Sequence, residues 1–199
     1  MALIRALITT ILLFLSLVCT AQISKAGDSV FSLLKKQKIE IDRQLSRKSP
    51  DLTVYVKIPG RSKLVRVFHE KWPENLEYTY NVLRDKSGRI VLISQSPFSE
   101  SGDWDITYKQ YFDEHGNTLA FERVTGFFNS GCTMDDDAAH EAIVNYYNAN
   151  FKSIYNSYSL MDSKGKKLVK SKCVFPYNFK NYKIYANLAD CLKAYNIPL

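Results

Sequence analysis

Two turns of one pattern, Asp85-Lys-Ser-Gly88 and Asp113-Glu-His-Gly116, punctuate a stretch from Leu76 to Phe128 in which apolar and polar residues alternate. Aspartate at the first position of a type I turn caps the backbone with its side chain. Glycine three residues later takes the left-handed conformation that closes a three-residue hairpin loop. The stretch therefore reads as two β-hairpins in succession, and a third turn of the same kind stands at Asp162-Ser-Lys-Gly165. The spacing between the three turns is unequal, which indicates an antiparallel meander instead of an array of repeats.

Alternation extends the sheet upstream. Leu52, Val54, Val56 and Ile58 alternate with polar residues up to Pro59-Gly60, and a run from Lys63 to His69 returns from that turn. Ile90 to Ile93 is apolar without interruption, the mark of a strand covered on both faces. From Gly27 to Lys48 the spacing becomes helical, with Val30, Leu33, Leu34, Ile41 and Leu45 on one side and Ser49-Pro50 as the stop. Thr133-Met-Asp-Asp136 has the layout of a capping box and predicts a second helix from about Met134 to Asn150, with Ala139, Ala142, Ile143 and Tyr146 as its apolar side. Lys167 to Phe175 reads as the strand returning from the third turn, giving a C-terminal hairpin, and Leu188 to Tyr195 as a short helical tail. The expected fold is α+β, an antiparallel meander packed against the N-terminal helix in one domain over residues 22–199.

The first residues fix the expected compartment. Arg5 precedes a thirteen-residue uncharged stretch, Ala6 to Val18, which is too short for a membrane span and suits the apolar region of a signal peptide. Cleavage is expected after Ala21, with Cys19 an apolar residue of the leader, and no transmembrane span is expected to remain afterwards. Losing Met1–Ala21 removes Arg5 and no acid, so 27 bases become 26 against 20 acids and the charge is +6. The protein is expected to be periplasmic or secreted. That excess is mild and lies on no nucleic-acid-binding motif, so the partner expected of an exported chain is an envelope protein or an anionic surface polymer, not nucleic acid.

Cys132, Cys173 and Cys191 remain in the mature chain, and an oxidising compartment favours one disulfide. Cys173 with Cys191 is the pairing expected from their nearness in sequence, leaving Cys132 over. Asp135, Asp136, Asp137 and His140 match no calcium loop and read as first-turn acids of the expected helix, so neither a metal nor another cofactor is assigned. His69 and His115 stand beside no nucleophile in sequence. There is no Gly-x-Ser-x-Gly elbow, phosphate-binding glycine loop or dinucleotide fingerprint, so no catalytic residue is assigned.

One biased composition is left. Lysines including Lys167, Lys170 and Lys172 interleave with Tyr177, Tyr182 and Tyr185 in the last third of the chain. Lysine commonly guards an exposed strand edge, and tyrosine is a common strand residue. Together these six also make a basic aromatic surface suited to an anionic or sugar-bearing partner. Two functions follow as expectations, a non-enzymatic exported binding protein and, as alternative, an exported hydrolase with a dispersed active site. A pocket lined by His69 or His140 with nearby acids would favour the second.

Overall fold

The computed structural model describes residues 29–46, 50–134, 137–175 and 182–198. The expected signal peptide, the expected cleavage point and Tyr177 lie outside them. Helix α1 spans 29–46. Eight strands follow: β1 Leu52–Lys57, β2 Val65–Arg66, β3 Tyr78–Arg84, β4 Ile90–Pro97, β5 Trp104–Phe112, β6 Thr118–Phe127, β7 Ala139–Tyr147 and β8 Ser153–Asp162, with helix α2 at Leu188–Tyr195. All eight form one antiparallel sheet in the order β2-β1-β3-β4-β5-β6-β7-β8. The expected α+β meander with its N-terminal helix is present, and the tail is helical.

The turns behave as their chemistry dictates. Asp85 Oδ1 accepts the N–H groups of Ser87 and Arg89 at 2.9 and 3.0 Å, and Asp113 Oδ1 those of His115 and Asn117 at 2.9 and 2.8 Å. Gly88 and Gly116 sit at φ 80° and 79°. A Cβ at Gly88 would meet nothing within 4 Å, so a side chain there costs backbone strain alone. Gly88→Val is expected to lower stability by roughly 1 to 3 kcal/mol, read from denaturant unfolding, with the native fold retained.

Two expectations are corrected. The segment from about 134 to 150 is not a helix: Ala139–Tyr147 is β7, paired along its length with β6 and β8. Thr133 caps no helix, and its hydroxyl donates to the Asp137 carbonyl at 2.9 Å in a tight loop. Strand β7 leads into a fourth turn of the same design, in which Asn148 Oδ1 accepts the N–H groups of Asn150 and Lys152 at 3.1 and 3.0 Å. Phe151 holds its left-handed position at φ 57°, where the other turns have glycine. The usual turn signal is therefore missing from the sequence, and apolar residues three and four apart imitate a helix. The second correction is the C-terminal hairpin. After Gly165 the chain pairs with β8 through an Asp162 N–H to Lys166 carbonyl bond at 2.9 Å, a Met161–Lys167 bridge and a Leu168 N–H to Leu160 carbonyl bond at 2.9 Å, and forms no returning strand among the described residues. It then turns through a short 3₁₀ helix at Lys170–Lys172.

Side-chain alternation gives the sheet two differently covered faces. Leu52, Leu83, Leu92, Tyr111, Ala120, Tyr146 and Tyr155 are successive partners across β1 and β3 to β8, one row on one face. Helix α1 packs on this row through Phe31, Leu34, Ile41 and Leu45. Lys38 continues the same stripe and is buried, a placement hidden in the sequence among exposed lysines. Its Nζ lies 2.8 Å from Asp42 and 3.1 Å from Glu122, and Tyr111 donates its hydroxyl between the same two acids. Burial alone would push the Glu122 carboxyl up, but Lys109 and Lys38 outweigh it and hold the group below its ordinary value. That contribution is present above the ordinary carboxylate range and is lost as pH falls through the lowered value.

The opposite face carries the C-terminal third. Cys191, Leu192 and Ile197, in and just after α2, pack on Tyr80, Val82, Ile93 and Phe112. At the β6–β8 end, Leu168, Cys173 and Phe175 pack on Phe127, Ala139 and Leu160.

Candidate lysine cleft

The loop from 129 to 134 and the segment from 162 to 172 face one another across a cavity of about 930 Å³. Each wall is fixed locally. In the first, Asn129 and Gly131 take left-handed backbone at φ 55° and 66°, and the buried Ser130 hydroxyl lies 2.7 Å from the Thr133 hydroxyl. In the second, Asp162 Oδ1 accepts the N–H groups of Lys164 and Lys166 at 3.0 and 2.8 Å, so the third Asp-x-x-Gly turn sets the direction of both lysines.

Two bonds join the walls. Val174 N–H donates to the Ser130 carbonyl at 2.7 Å, and Cys132 forms a disulfide with Cys173 at a Cα separation of 4.8 Å. The expected Cys173–Cys191 pairing is thus corrected. Nearness in sequence misleads here, because Cys173 packs at the β6–β8 end while Cys191 is buried beneath α2 against β3 to β5. Among the described residues Cys191 is the free thiol, pushed up to about 12 by burial and so inert as a nucleophile near neutral pH.

Lys164, Lys166, Lys167 and Lys172 line the cleft with Asp137 and Asp162. None of the four ammonium groups forms a salt bridge with a described carboxylate. Both acids are already engaged: Asp162 closes its turn, and the Ser163 hydroxyl and backbone bonds hold the Asp137 carboxyl below its ordinary range. The lining carries four ammonium groups against two carboxylates, a net excess of positive charge, with Lys164 among the groups that hold the Asp137 carboxyl down.

The five described residues of the expected basic aromatic surface separate. Lys167 and Lys172 line the cleft. Lys170 turns to the sheet, its Nζ 3.4 Å from Glu141 and above the Tyr158 ring at 4.8 Å. Tyr182 stacks on Phe121, ring centroids 5.1 Å apart, and on Tyr108 at 5.4 Å. Tyr185 is pinned by its backbone, its N–H donating to Gln110 Oε1 and its carbonyl accepting from Gln110 Nε2 and Thr118. These two tyrosines hold the C-terminal strap on the sheet. Sequence reasoning missed the 129–134 wall, whose one signal was Gly131 beside a cysteine.

No family model, curated protein or solved structure matches the chain significantly.

The histidines are dispersed. His69 lies in an exposed turn, and His115 borders a hollow of about 910 Å³ beside α2 whose other lining includes Leu188, Leu192 and Ile197. His140 Nε2 is 3.3 Å from the Ser163 hydroxyl. No cluster of three or more potential metal ligands occurs among the described residues, and no described helix is long and apolar enough to cross a membrane.

Proposed function

We propose that this is an exported, non-enzymatic binding protein that holds an anionic surface polymer in the lysine cleft. The observation that carries the reading is the convergence of Lys164, Lys166, Lys167 and Lys172 on one cavity of about 930 Å³. Lysine presents a compact point charge without the fork that selects planar carboxylate pairs, so such a site reads charge spacing along a polymer more than the shape of one group. The charge of +6 expected for the mature chain, 26 bases against 20 acids, adds long-range attraction. The Cys132–Cys173 disulfide supports an oxidising compartment, as export requires.

A hydrolase would draw on His140, whose Nε2 lies 3.3 Å from the Ser163 hydroxyl, but both side chains are exposed and the Ser163 hydroxyl also helps hold the Asp137 carboxyl down.

Binding of a soluble polyphosphate by the mature protein tests the proposal. Affinity is expected to fall steeply between low and moderate salt, since exposed charges are screened over about 10 Å at 0.1 M ionic strength. Lys164→Glu, Lys166→Glu and Lys172→Glu together should abolish it with no loss of fold. Equal binding by the variant at both salts would reject the cleft.

A further inference from the structure

We infer that the outer edge of β8 is a self-association surface, where a second copy of this chain adds its own β8 antiparallel to the first. Strand β8 ends the sheet, with β7 as its single strand neighbour. The Leu160 carbonyl accepts from Leu168 on the outer side. Strand geometry points alternate residues the same way, so the N–H and C=O groups of Asn156 and Tyr158 face outward as well, with no described strand beside them. Ile154, skipped between the Tyr146–Tyr155 and Tyr147–Ser153 pairs, begins the same open segment.

A bare edge is an invitation to another strand, and folded proteins normally blunt it with charge, proline or brevity. The other edge, β2, is blunted by being two residues long. Strand β8 has ten residues and carries no charge or proline from Ser153 to Met161. Ile154, Tyr155 and Tyr158 are 38%, 43% and 47% exposed on it.

The occupant follows from charge and symmetry. On a basic chain, a strand edge with no charge of its own is a place where two copies can meet with few like charges opposed, since the Lys170 ammonium over Tyr158 is already paired with Glu141. A two-fold axis at Asn156 sets Ile154 opposite Tyr158 of the second copy, an aromatic with a β-branched residue, and aligns about six main-chain hydrogen bonds. The Leu168 contact at Leu160 stops the pairing at each end. Because the β2 edge is too short to receive a strand, the assembly closes at two copies and does not grow.

Sedimentation equilibrium of the full mature chain across the micromolar range decides it. A monomer–dimer equilibrium is expected, with slowed amide exchange at Asn156 and Tyr158 in the dimer. Asn156→Pro removes an outward N–H that an edge strand can spare, and Ile154→Lys adds the missing charge. Each should weaken dimerisation by about tenfold or more. Should the proline variant fail to fold, the lysine variant decides alone. A monomer at every concentration, or a dimer untouched by the folded variants, would overturn the inference.

Discussion

Glu141→Ala is expected to destabilise the fold by roughly 3 to 5 kcal/mol, the range for removing one partner of a buried ion pair. The Glu141 side chain is fully buried on β7 and meets the Arg123 guanidinium from β6, itself only 3% exposed. Lys170 reaches the same carboxylate from the cleft-bearing segment, and the Tyr158 hydroxyl donates to it from β8, which with burial raises that phenol. Alanine would leave a cation sealed inside the protein without the carboxylate that offsets its desolvation. The melting temperature should fall by roughly 10 °C or more for a chain of this size. Glu141→Gln keeps volume and hydrogen-bonding capacity, so a smaller loss is expected, and equal losses would show that packing and not charge dominates the site.

Opening the disulfide should have the second large effect. The bond closes a 41-residue separation, for which chain entropy gives roughly 4 kcal/mol. Cys173→Ser should show that loss in denaturant unfolding. It should also weaken polyanion binding, because Cys132 and Cys173 join the two walls of the cleft. Loss of stability with unchanged binding would mean that the walls keep their places without the bond.

How much of this was legible depends on where each signal is stored. The hairpins at Asp85–Gly88 and Asp113–Gly116 are local: one aspartate and one glycine specify the turn, and alternation on either side specifies the strands. Strand β7 was not legible, because its turn uses Asn148 and Phe151 in place of aspartate and glycine, and because Ala139, Ala142, Ile143 and Tyr146 satisfy a helical period too. Lys38 was hidden for another reason. Only the tertiary placement of Glu122 and Asp42 makes an ammonium group stable in the middle of an apolar stripe. The cleft was half visible, since the lysine-rich segment stood out while its opposite wall and the cysteine linking them required the sheet to bring positions 132 and 173 together. The idea of a lysine-guarded edge was displaced rather than lost. The lysines flank the turn after β8, and the outer edge of β8 before Leu160 has no described strand beside it.

The most direct test of the lysine cleft is residue-resolved NMR of the mature protein titrated with a short polyphosphate at low salt. The largest amide shifts should fall at Lys164, Lys166, Lys167, Lys172 and Thr133, with the hollow beside α2 silent and all shifts reversed by added salt. Shifts centred on Leu188 and Leu192, or a spectrum left unchanged at saturating polymer, would contradict the assignment of the cleft as the binding site.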